Sequence, residues 1–223
     1  MRKIIGATFV SLDGVMQAPG GPTEDWTGGF KHGGWLPALG DEAIGETIDR
    51  VFKEPFDLLL GRKTYDIFTA FWPYAQGDHK PMGEMFDRVG KYVVTRGNAP
   101  LKWQNSHRIA DLTALAQLKA NDGPDLVIQG SSTLYPQLLA AGLIDHMTLM
   151  TSPLVLGSGK RLFGDGTPAG TMKMIDHRVS PGGNIIATYE PAGAVEIGSF
   201  APPEPSAHEQ QRQEKMKRED TAA

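Results

Sequence analysis

Short apolar runs rich in β-branched residues alternate along this chain with stretches of helical period, and no other feature narrows its fold as far. Ile4 to Val10 is the first such run and reads as a buried strand, ended by Ser11-Leu12-Asp13-Gly14. In Asp41 to Phe52 the residues Ile44, Ile48, Val51 and Phe52 recur at three- and four-residue spacings on one helix face, and Asp41 is placed to cap the start. Phe56 to Leu60 reads as a buried strand cut off by Gly61, then Lys63 to Phe68 as a short helix broken at Phe71-Trp72-Pro73. Glu84 to Val89 reads as a further turn or two of helix, and Lys91 to Thr95 as a strand ended by Arg96-Gly97-Asn98. Asp111 opens an amphipathic helix stopped by Asn121-Asp122-Gly123-Pro124. The strand Asp125 to Gln129 leads through Gly130-Ser131-Ser132-Thr133 into a helix, Leu134 to Ala141, with Gly142 as its stop. Ile144 to Ser152 is a strand, and Met172 to Val179 with Ile185 to Glu190 form a hairpin across Ser180-Pro181-Gly182-Gly183-Asn184. The fold expected is α/β: a mostly parallel central sheet with flanking helices and a C-terminal antiparallel hairpin.

The 223 residues suffice for one large core. The division expected is a single domain over residues 1–191 and a tail over 192–223, where Pro, Ser, Gln and mixed charge take over, either disordered or a solvated helix from Glu209 to Asp220. Val15 to Gly40 is a long irregular segment with seven glycines between Gly20 and Gly40. A loop of that length is usually functional or mobile, and Trp26, Phe30, Trp35 and Leu36 give it apolar area to bury. The formal charge of −4 argues against nucleic acid as a partner. With no cysteine, disulfides, thiolate nucleophiles and Cys-ligated zinc are excluded. The six histidines are scattered without metal spacing, so no metal is expected. The apolar run at the start is too short for a signal peptide, and no run reaches the roughly 18 residues needed to span a bilayer. The expectation is a cytoplasmic protein without membrane association.

Three strand ends carry chemistry suited to a phosphate ligand, which open α/β sheets bind beyond the carboxyl ends of their strands. At Leu60-Gly61-Arg62-Lys63-Thr64-Tyr65 a glycine permits a sharp turn, a helix N-terminus offers N–H groups, and basic and hydroxyl side chains follow. The other reading is a plain strand–helix turn with solvated basic residues. At Val93-Val94-Thr95-Arg96 the guanidinium could grip a phosphate monoester, or merely follow a strand. At Gln129-Gly130-Ser131-Ser132-Thr133 backbone N–H groups and three hydroxyls could cradle a pyrophosphate, or Ser132 or Thr133 could simply cap a helix. No G-x-G-x-x-G follows a strand. Gly157-Ser158-Gly159-Lys160-Arg161 is not a P-loop, because Leu154 stands at its first glycine position and Arg161 at its Ser/Thr position.

Taken in order, Ser11-Leu12-Asp13-Gly14, Gly61-Arg62-Lys63-Thr64-Tyr65, Thr95-Arg96, Gly130-Ser131, Leu143-Ile144-Asp145 and Pro153-Leu154-Val155-Leu156-Gly157-Ser158-Gly159-Lys160-Arg161-Leu162-Phe163 resemble the dihydrofolate reductase-like family, closest to the riboflavin-biosynthesis reductase domain. The resemblance runs from Arg2 to Pro191. It implies NADPH as cofactor. Gly61, Arg62 and Thr64 would lie at its phosphate chain, Thr95 and Arg96 at the adenosine ribose and its 2′-phosphate, and Gly130, Ser131, Ser132 and Thr133 at the pyrophosphate. The Ala7 backbone would meet the nicotinamide amide, and Val15 to Gly40 would close as a lid. The implied reaction is hydride transfer to a pterin-, pyrimidine- or related heterocyclic substrate, as in 5-amino-6-(5-phosphoribosylamino)uracil reduction. A non-catalytic nucleotide-binding module on the same fold is the alternative. Asp13 or a lid water is the candidate proton donor; Asp13 could instead orient a substrate or form an Asx turn before Gly14. The acid that dihydrofolate reductases carry on the helix before the Gly-Arg strand has four candidates here, Asp41, Glu42, Glu46 and Asp49, with no gap-free match to select one. A homodimer is also implied, with the Ile144 to Met150 strand as a possible contact.

Overall fold

The structure, a computed structural model, describes residues 1–53, 55–201 and 204–221. Glu54 and, within the expected tail, Pro202, Pro203, Ala222 and Ala223 lie outside the described residues. Two compact units divide the chain, Met1–Gly193 and Ala194–Ala223.

The first unit is built on one eight-stranded sheet. Its strands are β1 (Ile4–Ser11), β2 (Phe56–Gly61), β3 (Lys91–Val94), β4 (Ser106–Ile109), β5 (Asp125–Ile128), β6 (His146–Ser152), β7 (Met172–Val179) and β8 (Ile185–Pro191), in the order β4-β3-β2-β5-β1-β6-β8-β7. All pairs from β4 to β6 are parallel, and only β8 runs against its neighbours. β2 is buried at all six positions, as a central strand covered on both faces should be.

Alternation along the strands divides the core. Leu59, Leu126 and Ile128 point to one face, where they pack with Leu115 of α4 (Leu112–Ala120) and with Leu134 and Leu138 of α5 (Leu134–Ala140). Leu58, Leu60 and Val127 point to the other, against Tyr65 of α2 (Arg62–Phe71), Phe86 of α3 (Lys80–Arg88), and Ile48 and Val51 of α1 (Glu42–Val51). Truncating one of these fully buried leucines to alanine removes about 2–5 kcal/mol. α1 and α4 start where their sequence puts a cap: Asp41 Oδ1 accepts the Ile44 N–H at 3.2 Å, and Asp111 Oδ1 the Ala114 N–H at 2.8 Å.

Three features differ from the sequence expectation. β4, Ser-His-Arg-Ile, lacks an apolar pattern because it is the polar, mostly exposed edge of the sheet. α3 begins at Lys80 rather than Glu84, with Pro81 in its first turn where a missing N–H does no harm. β6 sits between β1 and β8, so both of its main-chain edges are used inside the subunit and it offers no strand edge to a second copy.

The second unit contains α6 (Ala207–Thr221), which spans the stretch from Glu209 to Asp220. No residue of α6 is buried, and ion pairs such as Arg218–Glu214 run along the helix surface.

Candidate functional site

β2 and β5 lie side by side, yet the helices that follow them pack on opposite faces of the sheet. This is the topological switch point at which a crevice opens beyond the strand ends. Gly61 is in register with Val94, which brings the end of β2 level with the Thr95-Arg96 turn. The pairing of β1 with β5 stops at Gly6 and Ile128, whereas its pairing with β6 continues to Ser11 and Ser152. From Ala7 onward, therefore, the edge of β1 that pairs with β5 has no strand partner. The segments singled out in the sequence thus converge on one end of the sheet.

Two of the turns are tied to each other. Ser131 Oγ accepts the Gly61 N–H at 2.8 Å, and Thr64 Oγ1 accepts the Ser131 N–H at 3.0 Å. Gly130 has φ +85°, and a Cβ there would stand 3.2 Å from Thr64 Cγ2, so a glycine is what lets the two turns close up. Ser131 and Thr64 therefore set the shape of the cradle. The uncommitted donors lie just beyond them. Ser132 is half-buried and Thr133 exposed, and neither hydroxyl bonds to the described residues; Thr133 makes no capping bond, so simple helix capping does not explain it. At the neighbouring turn, Thr95 Oγ1 accepts the Gly97 N–H at 3.2 Å, while Arg96 is exposed and carries no ion pair among the described residues. Arg62 is held by protein contacts. Its guanidinium is paired with Asp66 at 2.9 Å and donates to the Ala99 carbonyl at 2.9 Å, so it is neutralised and braces the loop that presents Arg96. Hydrogen bonding to Asp66 accordingly raises its pKa.

The segment from Val15 to Gly40 is locked onto the Gly-rich loop between β6 and β7. Val15, Ala18, Phe30 and Trp35 form their own buried cluster, packed against Leu154 and Leu156. Gln17, buried, accepts the Lys160 N–H at 3.0 Å and donates to the carbonyls of Asp25 at 3.0 Å and Thr27 at 2.9 Å. Asp13 accepts from Ser11 Oγ at 2.6 Å and from the backbone N–H groups of Leu156 at 3.1 Å and Gly157 at 2.9 Å. The Ser11 and Leu156 hydrogen bonds, chiefly, hold the Asp13 carboxyl down at about 2. At neutral pH it is an ionised clasp on the loop. Asp25 is gripped by Lys160 Nζ at 2.5 Å and Lys63 Nζ at 3.0 Å. Burial would raise its pKa, but the hydrogen bonds from Lys160, Thr27 and Lys63 outweigh that and hold it below the ordinary carboxylate range.

The family model for the RibD C-terminal domain matches residues 2–186. The chain belongs to this family. Two relatives from Bacillus subtilis (strain 168) are the uncharacterised proteins YyaP, 27% identical over 195 residues with 84% of this chain and 94% of YyaP covered, and YwjB, 28% identical over 169 residues with 73% and 83% covered. Among solved structures, the fold is shared with a Shewanella sp. PV-4 protein named for riboflavin biosynthesis (TM-score 0.63, 19% identity, 85% of this chain and 99% of that one). It is shared also with a pyrimidine reductase-like protein from Corynebacterium diphtheriae (TM-score 0.56, 13% identity, 86% and 92%). A third is dihydrofolate reductase from Enterococcus faecalis in complex with NADP(H) (TM-score 0.51, 14% identity, 85% and 96%).

In this RibD C-terminal domain none of the four α1 carboxylates faces the sheet. Asp41 is the helix cap and also accepts from Asn184 Nδ2 at 3.0 Å; Glu46 pairs with Arg178; Glu42 and Asp49 are exposed. The buried face of α1 is Ala43, Ile44 and Thr47, and the Thr47 hydroxyl is spent on the Ala43 carbonyl at 2.7 Å. Sequence reasoning missed Gln17 and Asp25 altogether. The local trace of Asp25 is an Asx turn, its Oδ1 accepting the Thr27 N–H at 3.1 Å, which the spacing Asp25-Trp26-Thr27 permits. Among the described residues no group of three His, Asp or Glu side chains could hold a metal ion, and no helix is long and apolar enough to cross a membrane.

Proposed function

We propose that this chain is an NADPH-dependent reductase acting on a pterin-, pyrimidine- or related heterocyclic substrate, of the 5-amino-6-(5-phosphoribosylamino)uracil reductase type. The observation that carries it is the set of uncommitted donors at the strand ends, Ser132 and Thr133 beside the closed-up Gly130 turn and Arg96 beyond the end of β3, two strands away. A dinucleotide needs such a set, and its fit rests on a cradle that a Cβ at Gly130 would crowd. When bound, NADPH supplies the hydride. Ser132 and Thr133 donate to its pyrophosphate, and Arg96 offers a planar pair of donors to a 2′-phosphate. Ala7 presents its main chain to the nicotinamide amide. Trp35, Phe30 and Val15 hold the lid closed and exclude water. Reduction also takes up one proton. Asp13 is ionised and α1 turns no carboxylate inward, so the proton comes from water.

The proposal includes a homodimer, formed through the sheet edge at β7, where Met174, Ile175 and Val179 are exposed. Size-exclusion at two concentrations checks it; a single monomer volume at both removes it. The test of the activity is NADPH oxidation followed by absorbance in the presence of a dihydropterin, a ribosylaminopyrimidine or a quinoid acceptor. Substrate-dependent oxidation is the result expected. Tight NADPH binding with no oxidation by any of them would favour a nucleotide-binding module instead.

A further inference from the structure

The lid and the Gly-rich loop bury one carboxylate between two lysines. Asp25 is 7% exposed, with Lys160 Nζ at 2.5 Å and Lys63 Nζ at 3.0 Å. Both ammonium groups also reach the same hydroxyl, Thr27 Oγ1, at 3.0 Å and 2.6 Å. The neighbouring acid, Glu24, is turned away, its Oε2 accepting the Gly20 N–H at 2.7 Å. Two cations thus face one anion. The two lysines exceed the one anion by a charge, and with 50% and 36% of their side chains in solvent Lys63 and Lys160 can both reach an incoming anion. Next to it lies a cavity of about 270 Å³, lined by Lys160, Thr27, Gly28, Phe30, Ser158 and Gly159 among others. That is room for several waters or for an oxyanion with part of its carrier. Ser158 adds a hydroxyl with no partner among the described residues. Lys63 stands in the first turn of α2, so the cluster borders the crevice.

We propose that this cavity is an oxyanion site: it takes a carboxylate or phosphate group of a small molecule on Lys160 and the Ser158 and Thr27 hydroxyls, with Lys63, which meets the lining at Thr27 Oγ1, adding its charge from beside the cavity and Asp25 as the internal counter-ion that holds the lysines in place. The site does not rest on the reductase reading. Where that reading holds, this is where the substrate's anionic group sits.

The test uses the full chain without cofactor and inorganic phosphate as the probe, at ionic strength held constant with chloride. Binding is followed by the rise in melting temperature and by line broadening in phosphorus NMR. Asp25→Asn removes the internal competitor and lowers melting in phosphate-free buffer. It is expected to tighten phosphate binding about tenfold, so that phosphate restores the lost stability. Lys63→Gln leaves the Asp25–Lys160 pair balanced and therefore folds. It is expected to weaken phosphate binding about tenfold. Should Asp25→Asn fail to fold, the wild type against Lys63→Gln decides alone. Phosphate that binds none of the three proteins, or binds wild type and Lys63→Gln equally, overturns the site. Because no nicotinamide is present, that failure is distinct from a failure of the reductase reading.

Discussion

The crevice and the lid are both rich in glycine and hydroxyl residues, yet they use their polar groups in opposite ways. At the crevice the inner hydroxyls, Ser131 and Thr64, are spent tying two turns together, and the outer donors, Ser132, Thr133 and Arg96, are left without protein partners. At the lid nearly every polar group is spent on the protein itself. Gln17 makes three hydrogen bonds to main chain, Asp13 grips two loop amides, and Asp25 holds two lysines. One region keeps its outer donors free at the rim; the other ties its polar groups to itself, apart from the surplus lysine charge around Asp25. A buried donor set with no partner would be costly, which is why the free donors sit at the exposed rim and the satisfied ones inside.

Substitutions on either side should separate stability from binding. Gln17→Ala strips the lid of its central amide and leaves the Lys160 N–H and two carbonyls unpaired. The expected loss is roughly 3 kcal/mol of stability by thermal or urea unfolding, with NADPH affinity of the folded protein unchanged. Gly130→Ala forces an alanine to positive φ against Thr64 and should lose about 1–2 kcal/mol while weakening NADPH as well, since it deforms the cradle. Arg96→Ala should leave the melting temperature of the free protein alone and weaken NADPH about tenfold relative to NADH, as read by calorimetric titration. Unchanged discrimination would remove Arg96 from the 2′-phosphate role.

The smallest effect is in acid. Asp13 and Asp25 have carboxyls held below their ordinary value of 3.8, Asp13 at about 2. Folded-state pKa values below the unfolded ones mean the native state binds fewer protons. The stabilisation is complete above the unfolded value and is lost as pH falls through the folded one. Unfolding free energy should therefore decline between pH 3.8 and about 2, and Asp13→Asn should make that decline shallower. An identical slope in the variant would show that the Asp13 clasp contributes nothing.

The difference between the two regions also decides what the sequence could reveal. The crevice was legible because its chemistry is local: each strand end carries its own glycine, hydroxyl or arginine, and the alternation of strands and helices puts those ends on one side of the sheet. The lid was not. Asp13 meets Leu156 across 143 residues of chain, and Gln17 meets Lys160 across the same span, with no pattern near either to announce it. The Arg62–Asp66 pair lies one helical turn apart, a contact the helical spacing itself permits. The α1 carboxylates were more decidable than they first seem. Ala43, Ile44, Thr47, Ile48 and Val51 already mark the inward stripe, which leaves Glu42, Glu46 and Asp49 on the outward face. β4 escaped because an exposed edge strand needs no apolar alternation.

The measurement that bears most directly on the crevice as an NADPH site is the melting temperature of the unmodified protein with NADPH and with NADH at equal concentrations. A ligand at free concentration L that binds only the folded state stabilises it by RT ln(1 + L/Kd), so at equal concentration the tighter ligand raises the melting temperature more. A larger rise with NADPH than with NADH is the result this account predicts; equal rises, or none, would contradict it.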